Sequence, residues 1–312
     1  MTGKNATEVL PADGAGIARA AAILERGGLV AVPTETVYGL AARADDPAAV
    51  ARIYAAKGRP DFNPLIVHVQ GREQAGRFAH WPSAADQLAD SAWPGPLTLV
   101  LPLREDAGLA PAVTAGLPTV ALRCPAHPVM QALLQQVDFP LAAPSANRSG
   151  FISPTTPGHV LATLDGRIDL VLDGGPCEAG IESTILAIRP DGTLHELRPG
   201  PVEIADAVRS AGAGGGASAI EAPGQLASHY APGKPLRLGA EAASADEFMI
   251  GFGAVAGDCT LSAQGDLAEA AARLYDCLHL AAASGRPRIA VAPIPDHGMG
   301  QAINDRLRRA AA

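Results

Sequence analysis

A chain of 312 residues has room for two domains of ordinary size. An apolar share of 48% with 18% charged residues excludes a largely disordered chain. A net charge of −8 and 4% aromatics argue against a general nucleic-acid backbone binder or a base-stacking platform, while leaving room for a local basic pocket.

In chain order, a helix is predicted over 16–26, closed by Gly27 and Gly28. A strand over 29–32 runs into Pro33-Thr34-Glu35-Thr36. Asp46 before Pro47 predicts an N-cap and first helical residue, for a helix through Ala56 that ends at Lys57-Gly58-Arg59-Pro60. A strand at 65–69, helices at 72–79 and 83–92, strands at 97–103 and 119–123, and a helix at 128–137 follow. A strand at 141–144 enters the turn Ser145-Ala146-Asn147-Arg148-Ser149-Gly150, and strands at 169–172, 183–188 and 194–197 complete this half. Irregular alternation with long loops predicts an α/β fold built on a twisted, open mixed sheet. The uncharged glycine- and alanine-rich run 211–219 reads as a flexible linker. Beyond it, strand 248–252, helix 266–283, strand 288–292 and helix 299–311 predict a small C-terminal α/β (Rossmann-like) domain. The expected division is 1–209 for the first domain, 210–235 for a linker able to act as a lid, and 236–312 for the last domain.

Several chemistries are missing. There is no P-loop, and Gly251-Phe252-Gly253 is followed by glycine one place too late for a dinucleotide fingerprint, so a tight βα turn is the better reading. Cys124, Cys177, Cys259 and Cys277 lie far apart without a C-x-x-C pair, and the eight histidines lack metal-ligand spacing, so no protein-held metal is expected. A polar N-terminus and the lack of an apolar run of about 18 residues predict a soluble, cytoplasmic protein.

Of 24 basic residues only Lys4, Lys57 and Lys234 are lysine. Lys57 is thus the one lysine inside the first folded body, either by compositional chance or because a compact ammonium is needed there.

Four blocks concentrate polar residues at strand ends and helix starts: Pro33-Thr34-Glu35-Thr36-Val37-Tyr38-Gly39-Leu40; Lys57-Gly58-Arg59-Pro60 through Asn63-Pro64-Leu65; Pro144-Ser145-Ala146-Asn147-Arg148-Ser149-Gly150; and Glu182-Ser183-Thr184-Ile185 with Leu197-Arg198-Pro199-Gly200. Taken singly, each has a plain structural reading. Thr34 fits a turn, Lys57 and Arg59 fit cations at a helix C-terminus, His68 fits a core histidine, and Ser145 with Asn147 fits an Asx-type turn.

In this order and spacing the blocks resemble the YrdC/Sua5 family over about residues 14–209. Ser228-His229-Tyr230-Ala231-Pro232-Gly233 and the run Gly298 to Leu307 resemble the tail of its long Sua5 form. The resemblance implies a YrdC-like sheet with a positively charged cavity. It implies a nucleotidyltransferase that joins L-threonine, bicarbonate and ATP into threonylcarbamoyl-adenylate and pyrophosphate. The product serves N6-threonylcarbamoyladenosine (t6A) formation at position 37 of tRNA, through downstream transfer proteins. ATP enters as a substrate, with Mg2+ carried on it. By resemblance, Lys57 and Arg59 are catalytic, and Thr34, Arg59, His68 and Arg123 line the threonine and bicarbonate side. Lys57, Thr119, Ser145, Asn147, Ser153, Ser183 and Arg198 line the ATP side, with His229 and Tyr230 closing over it. On chemistry alone, the bidentate carboxylate contact is open to either Arg59 or Arg123. A competing reading is an RNA-binding regulatory module on the same fold; another is a carbamoyl-adenylate former in metal-centre maturation. Acidic charge weighs against the first, and the lack of zinc-finger and acylphosphatase-like domains weighs against the second.

Overall fold

The computed structural model describes residues 6–203 and 220–312, so the glycine- and alanine-rich run 211–219 lies wholly outside the described residues. The first body comprises β1 (Glu8–Pro11), α1 (Gly14–Glu25), β2 (Val30–Val32), β3 (Gly39–Arg43), α2 (Pro47–Lys57), β4 (Ile66–His68), α3 (Arg72–Ala75), α4 (Ser83–Ala92), β5 (Leu97–Pro102), α5 (Pro111–Thr114), β6 (Thr119–Arg123), α6 (Pro128–Gln136), β7 (Leu141–Ala142), α7 (Pro157–Leu164), β8 (Leu170–Asp173), β9 (Thr184–Ile188) and β10 (Leu194–Arg198). The second comprises β11 (Leu236–Arg237), β12 (Glu247–Gly251), β13 (Cys259–Thr260), α8 (Leu267–Ala283), β14 (Arg288–Val291) and α9 (Met299–Ala311).

The strands of the first body form one sheet in the order β1-β8-β2-β3-β7-β4-β6-β5-β9-β10. Pairing is mixed: β4 runs parallel to β6 and β5 to β9, while β5 and β6 are antiparallel. The central strands are almost wholly buried, because helices and loops cover both faces. On one face α1 and α6 bury Leu24, Met130 and Leu133 against β2, β7 and β8. On the other, α2 places Val50 and Ile53 against β3 and β4. The α2 start follows from local chemistry: Asp46 accepts from the N–H groups of Ala48 (2.8 Å) and Ala49 (3.3 Å), and Pro47 loses no bond at a position that has none to make.

The second body is a parallel sheet ordered β11-β14-β12-β13 with α8 and α9 packed on it. Its apolar core continues into Val37, Ile152, Ile181 and Tyr230, so the two sheets share one packed seam. Two imidazoles stack across that seam, His159 of α7 on His279 of α8, with ring centroids 3.8 Å apart. Among the described residues no helix is long and apolar enough to cross a membrane.

Several expectations need correction. The helix expected over 72–79 stops at Ala75, because turns about Gly76 and Phe78 lead into a bridge at Ala79. The strand expected over 141–144 ends at Ala142, its backbone turning to bond the 38–40 segment. The turn after β12 leads to a strand, not a helix, closing through an antiparallel Phe252–Val255 bridge before β13. β1, β3, α5, α7, β11 and β13 add to the elements expected.

Gly180 shows how tight the seam is. It has φ +69°, and a Cβ there would stand 2.4 Å from both the Cα and the carbonyl oxygen of Ala272 in α8. We expect Gly180→Ala to destabilise the chain by roughly 1–3 kcal/mol in urea denaturation. Gly158→Ala serves as the control, since its nearest neighbour would be a hydroxyl at 3.8 Å. Equal stabilities for the two variants would mean that the seam yields freely.

Candidate active site

The β2–β3 connection turns on a hydroxyl. Thr34 Oγ1 accepts from the N–H groups of Thr36 (3.1 Å) and Val37 (3.2 Å) and donates to the Val37 carbonyl at 2.6 Å. That leaves it as acceptor for the Thr36 hydroxyl at 2.8 Å, and Thr36 Oγ1 in turn accepts from Arg123 Nη1 at 2.9 Å. Arg123 also donates to Glu35 Oε1 (2.7 Å) and the Gly95 carbonyl (3.3 Å). Parallel pairing of β4 with β6 sets His68 beside Arg123 at the strand ends.

The α2 C-terminus and the 144–151 turn meet through Lys57. Its Nζ donates to the carbonyls of Ser145 and Asn147, both at 2.6 Å, while its own carbonyl accepts from Ser149 N–H at 2.9 Å. Asn147 Nδ2 holds the far side of this turn through the carbonyls of Arg148 (2.9 Å) and Phe151 (2.8 Å). Just after α2, Arg59 donates to the carbonyls of Asn63 (3.1 Å) and Pro64 (2.7 Å). At the end of β10, Arg198 donates to the Ser183 carbonyl (3.0 Å), to Ser183 Oγ (3.0 Å) and to the Pro223 carbonyl (3.2 Å). Ser183 Oγ also bonds Thr98 Oγ1 at 2.7 Å.

Residues 222–231 lie across this group and close a cavity. Its wall includes Thr34, Thr36, Arg59, His68, Arg123, Ser145, Glu182 and Arg198, with Pro223, Gly224, His229 and Tyr230 as the cover. The free volume is about 40 Å³, far below the several hundred Å³ typical of small-molecule sites. Gly224 is needed for the fit: with φ +88°, a Cβ would lie 2.9 Å from both Arg198 Cδ and Tyr230 Oη. Tyr230 itself adopts φ +62°, a left-handed backbone uncommon for a bulky residue. Its hydroxyl, His229 Nδ1, His68 Nδ1, Asn147 Oδ1, Glu35 Oε2 and both side-chain polar atoms of Asn63 are buried without a hydrogen-bond partner among the described residues. Buried polar atoms in native structures are nearly always paired, and three of these, on His68, His229 and Tyr230, belong to residues that line the cavity.

Charge makes the same point. Lys57, Arg59 and Arg198 are all buried, yet none forms an ion pair with a carboxylate among the described residues. Burial pushes the Lys57 ammonium well below its ordinary value, with Arg59 adding repulsion. Burial likewise lowers Arg59 to about 10 and lowers Arg198. The two carboxylates at the site are engaged elsewhere. For Glu35, burial raises the pKa, but Arg123 outweighs it and holds the group below the usual value. Glu182 accepts from Ser153 Oγ (2.5 Å), Tyr275 Oη (2.8 Å) and Arg306 Nε (3.0 Å). Its burial is outweighed chiefly by Arg306, leaving it at about 2. Among the described residues no cluster of three His, Cys, Asp or Glu side chains is disposed to hold a metal ion.

The expected residues divide accordingly. Thr34, Arg59, His68, Arg123, Ser145, Arg198, His229 and Tyr230 line the cavity. Lys57, Asn147, Ser153 and Ser183 stand one bond behind it, each touching a wall residue or the 144–151 turn. Thr119, at the far end of β6, does not line it, although it shares a strand face with Ala121 and Arg123. Glu182, Tyr275 and Arg306 were not anticipated as site residues. Two of them lay inside quoted blocks, but nothing in spacing alone joins residues 182 and 306.

A cavity at strand ends of a mixed sheet, lined by guanidinium groups of Arg59 and Arg198 that lack carboxylate partners among the described residues, has the charge to hold anionic groups. Residues 22–200 match the Sua5/YciO/YrdC family model, described as telomere recombination, and residues 193–312 match that of the threonylcarbamoyl-AMP synthase C-terminal domain. The chain belongs to the Sua5/YrdC family. It is 40% identical to the threonylcarbamoyl-AMP synthase of Bacillus subtilis over 98% of this chain and 95% of that one. The Pyrococcus abyssi threonylcarbamoyl-AMP synthase is 38% identical, over 94% of this chain and 93% of its own length. The crystal structure of P. abyssi Sua5 complexed with L-threonine superposes with a TM-score of 0.86 at 34% identity, covering 98% of this chain and 96% of that one.

The histidines give a test of burial. Burial first, then neighbouring cations, depresses His68 and His229 to about 3. Both are therefore neutral when folded but gain a proton when unfolded below about pH 6.5. The unfolded chain then binds more protons, so stability is greatest above that pH and is lost as pH falls toward 3. We expect His229→Gln to flatten the fall in unfolding free energy between pH 6 and 5 by up to one proton, roughly 1.4 kcal/mol per pH unit. An unchanged slope would mean that His229 protonates freely in the folded state.

Proposed function

We propose that this chain is an L-threonylcarbamoyl-adenylate synthase, forming threonylcarbamoyl-adenylate and pyrophosphate from L-threonine, bicarbonate and ATP. The observation that carries this reading is the pair of buried guanidinium groups, Arg59 and Arg198, that line one cavity without carboxylate partners among the described residues, with buried Lys57 just behind the wall. Family membership supplies the chemical identity of the anions they await.

The amine of threonine and bicarbonate combine with loss of water to give a carbamate. A carbamate oxygen then attacks the α-phosphorus of ATP, and the bond to pyrophosphate breaks. Such a step needs position and charge stabilisation more than a protein nucleophile. We assign Thr34, Arg59, His68 and Arg123 to the threonine and carbamate side. With its hydroxyl committed to the turn, Thr34 contributes shape and the orientation of Thr36 and Val37. Neutral His68 adds no positive charge beside Arg123. Arg198, Ser145, Ser183, Asn147, Ser153, His229 and Tyr230 go to the nucleotide side. Lys57, with its ammonium on two turn carbonyls, acts by fixing the Ser145–Asn147 turn. For the adenosine we assign the apolar sheet face of Ile66, Val100, Ala121, Ile185 and Ala187, on which Ala222 now sits. Thr119 borders that face along β6. Mg2+ would arrive on the ATP phosphates, since the site's carboxylates are engaged by arginines.

Carbamates and adenylates react with water, so a closed site protects them. With so little free volume beneath them, residues 220–231 would lift as substrates enter. We assign catalysis to residues 1–209, closure to 210–235 and support of the closing segment to 236–312. The product would pass to proteins that transfer the threonylcarbamoyl group to tRNA position 37, in the cytoplasm where ATP and tRNA meet. An RNA-binding role finds no support, because these cations are enclosed rather than spread over a surface.

Pyrophosphate release should require threonine, bicarbonate and ATP together, each omission abolishing it. We expect Arg59→Met and Arg198→Met each to reduce kcat/KM by about 100-fold, roughly 2.7 kcal/mol. Melting should be unchanged or raised, since each change removes a buried charge without an ion-pair partner. Full turnover in either variant, or release without threonine, would overturn the proposal.

A further inference from the structure

Arg306 of α9 is fully buried and is the largest such side chain in the core. It belongs to the second body, yet its Nε donates to Glu182 Oε2 at 3.0 Å, and Glu182 is part of the cavity wall. Its Nη1 bonds Asp305 at 2.9 Å, and its guanidinium sits 5.5 Å from the centre of the Tyr230 ring. Tyr275 of α8 adds a second donor to Glu182 and stacks 5.7 Å from Tyr230.

A carboxylate in the wall of an anion site is a liability. Glu182 precedes Ser183, whose carbonyl and hydroxyl hold Arg198, and Glu182 and Arg198 interact electrostatically. Left without its own partner, Glu182 would neutralise the guanidinium that the nucleotide needs. The simpler alternative is that Arg306 and Glu182 are only a buried structural pair. Such pairs stabilise little compared with apolar residues of the same size, so stability alone accounts poorly for one placed at the cavity.

Resting on the synthase reading above, we propose that Arg306 is a positioning residue: it sequesters Glu182 and so keeps Arg198 free to receive the ATP phosphates. The second body thereby sets the charge of a site whose other cations all come from the first. Arg306 does not touch substrate; it acts through Glu182.

The test measures binding of ATP with Mg2+ to the full-length chain by calorimetry, alongside pyrophosphate release. Arg306→Met should weaken ATP binding at least tenfold and raise the KM for ATP in parallel, with a smaller effect on the KM for threonine. Adding Glu182→Gln to Arg306→Met should recover most of the lost ATP affinity, because the competing carboxylate is gone. A purely structural role predicts that ATP and threonine binding are lost and recovered together, whereas sequestration of Glu182 predicts a loss and a recovery selective for ATP. Unaltered ATP binding in Arg306→Met, or a double variant as weak as the single one, would overturn the inference. If Arg306→Met does not fold, Arg306→Lys decides. It retains the charge and should bind ATP within about threefold of the parent chain, and a tenfold loss would overturn the inference. ATP binding that responds as expected in a chain without threonine-dependent pyrophosphate release would refute the synthase reading and leave the role of Arg306 standing.

Discussion

Holding Lys57, Arg59 and Arg198 out of water without ion-pair partners among the described residues is the constraint around which the site is arranged. An isolated buried ion costs several kcal/mol even after relaxation. Here the cost is reduced by backbone dipoles. Asn63 and Pro64 offer carbonyls to Arg59, Ser145 and Asn147 to Lys57, and Ser183 and Pro223 to Arg198. Carbonyls offset part of the desolvation but carry no net charge. The site therefore retains a positive potential for an arriving anion, which a carboxylate partner would cancel. Loops that point carbonyls inward need rigid ends, and the mixed sheet supplies them: α2 leads into Arg59, and β9 and β10 bracket Ser183 and Arg198.

This arrangement explains what could be read from the residues and what could not. Asp46-Pro47 announces α2 by local capping chemistry, and β6 opens on the β-branched Thr119 and Val120. The four polar blocks were visible because they fall between such elements. β3 was not visible: Gly39, Ala41 and Ala42 have little strand preference of their own. It is a strand because β2 and β7 pair on either side of it. The same limit applies at the site. Block order makes Lys57 a candidate, but its rotamer, on two carbonyls rather than in the cavity, depends on a turn 88–90 positions away. Glu182 was quoted within its block, yet its significance comes from Arg306, 124 positions along.

The second body then has a physical purpose beyond its own core. His229 N–H donates to the Arg309 carbonyl at 3.1 Å, Arg309 Nη1 to the Leu226 carbonyl at 2.6 Å, and Ser228 Oγ to the Ala312 carbonyl at 3.0 Å. On the other side, Ala231 N–H reaches the Gly150 carbonyl at 2.8 Å. The closing segment is thus held by both bodies and belongs to neither sheet. Small catalytic cavities are hard to shut with one sheet alone, because the strand ends that carry the chemistry are also the open side. A second packed layer across the seam gives the cover something to rest on.

Opening such a cover need not dismantle the charge cluster beneath it. The carbonyls that hold Lys57 and Arg59 belong to the first body, although the 144–151 turn behind Lys57 is itself tied to the cover by Ala231 N–H on the Gly150 carbonyl. Only Arg198 bonds to the cover, through the Pro223 carbonyl. Lifting the segment therefore releases one guanidinium N–H and uncovers the apolar face under Ala222 together. On the function proposed above, the group freed would meet a phosphate and the apolar surface the adenosine, so one movement would prepare both ends of a nucleotide site. The carbonyl that Arg198 loses on opening is replaced by a charged oxygen when the ligand binds, a stronger hydrogen bond than the one given up. As it lies here the segment covers the cations; on the proposed function, lifting it would leave Arg198 with a bond to make, and an arriving anion would make it.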